Sequence, residues 1–596
     1  MNFPKTLDNV FFFLCFVVRL FYGYCSETYE MKNFLNPWSE TLVFIGAGAT
    51  ASLGMPQTDT QSKFFRKLAA SENRLPLPKI FLGFDEKDLL QMENFLAILG
   101  DGKCLDDDRF SVSESELAAA KKAFRLPASD SIYRNRIREL RDEYDWIGLK
   151  AVIGICPQHK IRDNLVRDIY TLLDKKISAH QGIKVAFQNG EEFIVESSRL
   201  LKVRNCLVLF TNILFANAWY RLSKGKCALD FAKYVALAET LSRMMQREGA
   251  RLCSEGCDFS FPAFYRFSYS VVSLNFETVF LWLLFNAHRK ANQSGFFLSR
   301  TAQAMKLWLD FGIPSKSRKI KADAAARELS NFSYSVSETA IFRGNECSAQ
   351  GAPVGRIGKF LFAHGCSLWR ECPVCGRMMY YLGDRWGFSD AHANAPLPIP
   401  LFENDDFNRT EKEKKWRKEK LHFDSLECVS CGAETFASSA PMVMQTMVKG
   451  NPTSFLEEVQ RESRVLMDKA RHFVLLGYQL PSDDSLWVET FAETVRYRMC
   501  SEARAYCTVV VGFKGEERFL YGAEMLAYAD AHRKEKDADA YGVTAIDNAV
   551  SIFGREQVRA YTGGIPNVFG SCTESEIGEV FFPTDFVDWN GTRLEK

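Results

Sequence analysis

Four apolar residues, Leu42-Val43-Phe44-Ile45, run directly into Gly46-Ala47-Gly48-Ala49-Thr50, and the stretch closes on Gly54-Met55-Pro56. The run suits a buried strand. The glycines permit a tight turn, and the small residues around them open the next element, expected to be a helix. A strand that ends in small residues at a helix N-terminus gathers backbone N–H groups and the positive end of a helix dipole at one point. That is a cradle for phosphate or pyrophosphate. Glycine turns between strand and helix are common, so the rest of the chain has to decide whether this one is more than a turn.

The chain has 596 residues, room for three or four domains at about 150 residues each. Its net charge of +1 provides no global field for nucleic acid. Residues 411–420 carry six basic and three acidic side chains, which reads as a solvated helix face or loop. The 17 cysteines are odd in number and mostly scattered beside apolar residues. This fits buried free thiols in a reducing cytosol better than a disulfide framework, and points to a cytoplasmic protein. Residues 10–18 are strongly apolar, but Arg19 interrupts them before they are long enough to span a bilayer, and no small-residue cleavage site follows. The segment reads as an export or membrane segment, a packing or oligomer-contact helix, or a stretch upstream of a start near Met31.

Short apolar runs recur at 42–45, 269–274, 360–363, 473–476 and 508–511, each followed by glycine or polar residues: Gly46, Asn275, His364-Gly365, Gly477 and Gly512. In a doubly wound sheet, ligands bind beyond the carboxyl ends of parallel strands, so these five ends are expected to converge on one crevice. The fold class expected is α/β: a doubly wound, parallel, Rossmann-like sheet with a large helical insertion and a small zinc-ribbon module. The sheet domain is assembled from 39–60, 266–365 and 437–570. Residues 1–38 form an N-terminal extension, 61–265 the insertion, 366–436 the zinc module and 571–596 a C-terminal tail. In the insertion, Leu165, Ile169, Leu172 and Leu173 share a helical face, as do Phe231, Tyr234, Ala238, Leu241 and Met245. Such stripes form core more often than partner surfaces. Residues 393–400 are Pro-rich and should be an extended loop.

Cys372-Pro-Val-Cys375-Gly and Cys428-Val-Ser-Cys431-Gly are two Cys-x-x-Cys-Gly knuckles. Each can supply two thiolates from a tight turn, and together they can enclose Zn²⁺ tetrahedrally. With four protein ligands no position is left for substrate, so the metal is read as structural. Residues 376–427 lie between the pairs and must loop out. Cys253 and Cys257 read as ordinary thiols.

Taken in order, Gly46-Ala47-Gly48, then Ser273-Leu274-Asn275-Phe276-Glu277, then His364-Gly365, the paired cysteines and Gly477-Tyr478-Gln479-Leu480-Pro481 resemble the sirtuin family. The stretch 46–56 matches the family's Gly-Ala-Gly-x-Ser-x-x-x-Gly-Ile-Pro at full spacing, with Thr50 for Ser and Met55 for Ile. Residues 273–277 resemble Thr-Gln-Asn-x-Asp and keep the asparagine. The shared order covers roughly 500 residues and is more specific than any one motif. There are departures. Deacylases continue Gly-Ile-Pro-Asp-Phe-Arg, whereas this chain reads Gly54-Met55-Pro56-Gln57-Thr58-Asp59. Their Phe-Gly-Glu loop, which pairs with the substrate peptide, is replaced by Ala440-Pro441-Met442-Val443-Met444. The stretch 477–484 is similar to the Gly-Tyr-Ser-Leu-Pro-x-x-Asp of divergent sirtuin-like proteins in prokaryotic antiphage systems, which hydrolyse NAD⁺ to ADP-ribose and nicotinamide.

The resemblance implies NAD⁺ as substrate and structural Zn²⁺. It implies that Gly46, Ala47, Gly48, Ala49 and Thr50 hold the pyrophosphate, with Gly54, Met55, Pro56, Asp59, Ser273, Gly477 and Tyr478 also in the dinucleotide site. Asn275 would fix the ribose and the attacking water, and His364 would act as general base on a ribose hydroxyl or on water. Glu277 would support positive charge or bind the cofactor. A toxic NADase has to be restrained, so the resemblance also implies a regulatory or sensor protein encoded nearby, homo-oligomeric assembly, or both. Two other activities stay open at this point: an NAD-dependent lysine deacylase, and a non-catalytic NAD- or ADP-ribose-binding sensor or scaffold.

Overall fold

The computed structural model describes residues 41–70, 89, 111–124, 129–155, 165–186, 192–223, 225–254, 267–293, 306–310, 355–367, 369–376, 378–380, 426–428, 431–444, 453–482, 484–499, 504–512, 517–534, 540–570 and 573–581. The N-terminal extension, the Pro-rich loop 393–400, the charged run 411–420, Cys257, and the side chains of Asp59, Leu165 and Cys253 lie outside the described residues.

One eight-stranded sheet organises the chain. Its strands are β1 (Thr41–Ile45), β2 (Phe267–Ser273), β3 (Lys306–Asp310), β4 (Gly355–Phe362), β5 (His472–Leu476), β6 (Tyr506–Val510), β7 (Phe519–Tyr521) and β8 (Val558–Tyr561). Their spatial order is β7-β8-β6-β5-β1-β2-β4-β3. All neighbours pair parallel except β7 and β8. The five expected runs are the five adjacent strands β6, β5, β1, β2 and β4. Every residue of β1, β5 and β6 is buried, as a parallel sheet covered on both faces requires. The strands also end level. Ile45 sits opposite both Leu476 and Ser273, Leu476 opposite Val510, and Ser273 opposite Phe362. From β1 the chain builds outward through β2 to β4 and β3, then returns to the other side of β1 with β5. The strand order therefore reverses between β1 and β5, where open α/β sheets place their ligand crevice.

Thirteen α-helices occur among the described residues. The chain between β1 and β2 carries α1 (Thr58–Ala70), α2 (Glu114–Phe124), α3 (Asp130–Glu143), α4 (Trp146–Ile155), α5 (Leu165–Ser178), α6 (Ser197–Ser223) and α7 (Ala228–Ser254), plus a hairpin of Ile183–Ala186 with Glu192–Val195. Then come α8 (Val279–Gln293), α9 (Ser454–Lys469), α10 (Ser485–Met499), α11 (Gly522–Lys534), α12 (Ala540–Phe553) and α13 (Glu574–Phe581). Both apolar stripes face the core. Ile169 and Leu173 are buried on α5 and Leu172 is half-buried; Phe231, Tyr234, Ala238, Leu241 and Met245 are all buried on α7. Among the described residues one helix, Ser197–Leu222, is long and apolar enough to cross a membrane (mean hydropathy 1.2), and 78% of its apolar stretch is buried inside the protein.

The segment expected to be a tail, 571–596, contains the packed helix α13. Ile577, Val580 and Phe581 are buried, and Phe581 stacks on Phe569. Arg559 of β8 donates to the Glu579 carbonyl (2.6 Å) and to Thr508 Oγ1 (2.9 Å), whose hydroxyl also meets His472 Nε2 (2.7 Å). These bonds stitch α13 to the sheet. Burial holds His472 well below the usual imidazole range, with Arg559 adding to the effect. Burial likewise pushes His288, whose Nε2 meets Tyr269 OH at 3.0 Å, down to about 3. Both imidazoles are neutral in the fold, whereas in the unfolded chain they bind protons below about pH 6.5. Stability is therefore fully present above that pH and falls as pH drops, by up to about 1.4 kcal/mol per pH unit for each group. Urea midpoints between pH 7.5 and 5 should fall steeply for the parent and less steeply for His288→Phe. Parallel curves would contradict this.

Candidate active site

The level strand ends open into a cavity of about 520 Å³. Gly46, Asn275, His364, Gly477 and Gly512, one from beyond each of the five central strands, all line it. Ala47, Gly48, Thr50, Met55, Pro56, Glu277 and Tyr478 line it too.

Three expected residues do not reach the cavity. Ser273 is buried beneath it, and its Oγ accepts the Asn275 N–H at 3.2 Å, so it shapes the loop rather than meeting a ligand. Ala49 faces the core with no exposed surface, and its carbonyl accepts from Tyr234 OH of α7 at 2.6 Å. Gly54 sits at the far end of the turn with φ +76°, where a left-handed backbone favours glycine.

The glycine turn itself differs from expectation. It opens a seven-residue 3-10 helix, Ala47–Leu53, instead of an α-helix. Its amides are partly committed: Gly46 N–H donates to Leu476 O (2.9 Å), Gly48 N–H to Gly477 O (3.1 Å) and Ala49 N–H to Gly46 O (2.9 Å). The first two bonds weld the turn to the loop after β5. A short 3-10 helix aligns fewer peptide dipoles than a longer α-helix. Of the turn's first residues, Ala47 and Gly48 are the exposed ones, and the Gly48 N–H is already committed.

Glu277 is the hub of the neighbouring loop. Its Oε1 accepts from Thr50 Oγ1 (3.0 Å) and Asn275 Nδ2 (2.9 Å), and its Oε2 accepts the Val279 N–H (2.7 Å) at the start of α8. Burial raises its pKa, and these three hydrogen bonds oppose the rise. The second N–H of Asn275 Nδ2 goes to Gly46 O at 3.1 Å. With both amide protons used, what the Asn275 side chain has left for a ligand of the cavity it lines is its Oδ1, an acceptor.

His364 follows β4 in a turn braced from three sides. Gln460 Nε2 donates to Ala363 O (3.0 Å), Val443 N–H to His364 O (2.8 Å), and Ser367 bonds Phe276 O through its N–H and Oγ, tying the His364 and Asn275 loops together. Gly365 has φ +84° and pairs antiparallel with Met442. The imidazole Nε2 lies 3.2 Å from Trp487 Nε1 and 3.4 Å from Asp484 Oδ1, and Tyr478 OH donates to Asp484 Oδ2 (2.9 Å).

Asp484 and Trp487 are further functional candidates, which the motifs do not single out. Asp484 stood in plain sight as the last residue of the 477–484 pattern, and Trp487 lies one helical turn on. The insertion adds a wall: Val166, Arg167 and Tyr170 of α5 and Phe215 of α6. No local signal marks these, because only tertiary packing brings them to the cavity.

The four cysteines form a separate centre. Cys372 Sγ lies 3.5 Å from Cys431 Sγ and Cys375 Sγ 3.7 Å from Cys428 Sγ, and all four sulfurs fall within 4.8 Å of one another. Tetrahedral Zn–S bonds of about 2.3 Å place sulfurs about 3.8 Å apart, so the cluster can hold a metal ion such as zinc. Gly376 (φ +65°) and Gly432 (φ +77°) make the knuckle turns, and each returns its N–H to the carbonyl of the first cysteine, at 2.9 Å in both cases. Two hairpins, Trp369–Glu371 with Met378–Tyr380 and Leu426–Glu427 with Glu434–Thr435, carry the knuckles.

No protein-family model matches the chain, and no curated protein matches it.

Proposed function

We propose that the protein is a sirtuin-like NAD⁺ glycohydrolase with a Rossmann-like sheet domain, cleaving NAD⁺ to ADP-ribose and nicotinamide. One observation carries the reading: the glycine turn, Asn275 and His364, dispersed over more than 300 residues of sequence, line a single cavity where the strand order reverses. The pyrophosphate rests on the turn at Ala47 and Gly48, both exposed. The nicotinamide ribose lies between Asn275 and His364.

Breaking the nicotinamide–ribose bond passes through an oxocarbenium-like state at the anomeric carbon. Nicotinamide leaves with the bonding electron pair, already a good leaving group because its ring nitrogen is cationic. Asn275 Oδ1 accepts from a ribose hydroxyl or from the attacking water, held in that orientation by Glu277 and Gly46. The carboxylates of Glu277 and Asp484 favour positive charge developing on the ribose. Imidazole, with an unperturbed pKa of about 6.5, suits proton removal near cellular pH.

Deacylation is disfavoured. The segment 441–443 already pairs with the His364-Gly365 turn, and α5 and α6 wall the cavity. The test is direct: NAD⁺ incubated with purified protein and its activator, without any acylated peptide, should yield equal amounts of nicotinamide and ADP-ribose. Turnover only with an acyl-lysine peptide would support deacylation instead, and binding without turnover a sensor.

The resemblance further proposes an antiphage effector, cytoplasmic, restrained until a neighbouring sensor protein or self-assembly activates it. The metal is proposed to be structural Zn²⁺. Elemental analysis should find about one zinc per chain, lost together with the pairing of the two cysteine hairpins in Cys428→Ser. Metal-free protein with unchanged stability would contradict it.

A further inference from the structure

Two side chains reach the same nitrogen of His364. Trp487 Nε1 is 3.2 Å from Nε2, and Asp484 Oδ1 is 3.4 Å from it. An indole N–H only donates, and a carboxylate only accepts. Nε2 cannot answer both: a bond from Trp487 needs its lone pair, and a bond to Asp484 needs a proton there. We propose that Asp484 and Trp487 compete for Nε2 and so set which tautomer His364 turns to the substrate. This rests on the reading of the cavity as an NAD⁺-cleaving site.

With Trp487 bonded, the ring proton sits on Nδ1, the nitrogen that neither side chain engages, and His364 meets a ligand there as a donor. With Asp484 bonded, Nε2 carries the proton and the Nδ1 lone pair is free to act as base. The second state completes the reaction. Water oxygen bonds to the anomeric carbon as the carbon–nitrogen bond breaks, the electron pair departs on nicotinamide, and the water proton passes to Nδ1. The imidazolium keeps its Nε2–H on Asp484 until Nδ1 releases its proton to solvent. This is the logic by which a buried aspartate orients a catalytic histidine. Asp484 is a positioning residue here, aimed by Tyr478 OH.

Both competitors ride on one helical turn. Trp487 N–H donates to Asp484 O at 3.0 Å where α10 begins. A small shift of α10 against the β4 turn therefore exchanges one bond for the other, which gives an activator bound elsewhere a simple element to bias. The other titratable or charged groups lining the cavity are Tyr478, Glu277, Arg167, Tyr170 and Tyr541.

The substitutions should act in opposite directions. Asp484→Asn keeps the size and the helix-start role, but its amide can donate to Nε2 and so favours the same tautomer as Trp487. NAD⁺ turnover should fall by about 10²- to 10⁴-fold. Trp487→Phe removes the competing donor, and turnover near neutral pH should rise by roughly 2- to 10-fold. The ¹⁵N spectrum of His364, assigned with a His364→Gln control, should show Nδ1–H in Asp484→Asn and Nε2–H in Trp487→Phe. Trp487 is fully buried beside Phe44, so the Asp484→Asn spectra carry the test if Trp487→Phe does not fold. An unchanged tautomer in Asp484→Asn, or rates that move the same way in both variants, overturns the proposal. If the parent cleaves no NAD⁺ the functional reading fails, and the spectra still decide the competition.

Discussion

His364→Ala should lower nicotinamide release from NAD⁺ by about 10²- to 10⁴-fold, the usual yield of a positioned general base. On the proposed reading the loss should fall mainly on kcat, because the glycine turn would still hold the dinucleotide. Asn275→Ala should cost about 10²- to 10³-fold, comparable with deleting one preorganised polar group from an active site. In the proposed mechanism the two act on the same reacting atoms, so the double variant should lose less than the product of the two effects. Both residues are buried in braced loops, so thermal unfolding of each variant has to be measured alongside. A stable His364→Ala protein with parental turnover would remove His364 from the mechanism.

Gly477→Ala should destabilise the sheet domain by about 3 kcal/mol or more, the range reserved for buried clashes combined with backbone strain. Gly477 has φ +57°, and an added Cβ would fall inside contact distance of the Ala49 nitrogen and the Gly48 backbone. The 3.1 Å bond from Gly48 N–H to Gly477 O cannot survive that separation. Gly54→Ala is the control. Its φ is also positive, +76°, but nothing lies within 4 Å of the new carbon. It should cost about 1 kcal/mol. Urea unfolding followed by tryptophan fluorescence separates the two, and equal losses would show that strain alone, and not the close approach of the two loops, is at issue.

The central strands were legible because parallel strands buried on both faces read as continuous apolar runs, as in Val474-Leu475-Leu476 and Val509-Val510. The edge strands β3 and β7 were not. Lys306–Asp310 holds a charge at each end and Phe519–Tyr521 has three residues, so neither gives an apolar run long enough to read as a strand. The 3-10 form of Ala47–Leu53 follows from local bonds that a motif does not encode: Ala49 N–H closes on Gly46 O, three residues back, while Gly48 turns to Gly477. Motif spacing found Asn275 and Glu277 but not their division of labour. That emerges only when the Asn275 amide protons are traced to Gly46 and Glu277. The cysteine knuckles were legible because thiolate spacing is local chemistry. Arg167, Tyr170 and Phe215 were not: a helix read as a core stripe, as α5 was, can still turn single residues to a cavity, and no motif marks Phe215 on α6.

The proposed chemistry requires a dinucleotide lying across the reversal between β1 and β5. A crystal structure of His364→Ala soaked with NAD⁺ tests this most directly. The pyrophosphate should lie on Ala47 and Gly48, with the anomeric carbon of the nicotinamide ribose beside Asn275 Oδ1 and the space left by the imidazole. NAD⁺ bound at another surface, or seated with that ribose turned away from Asn275, would contradict it.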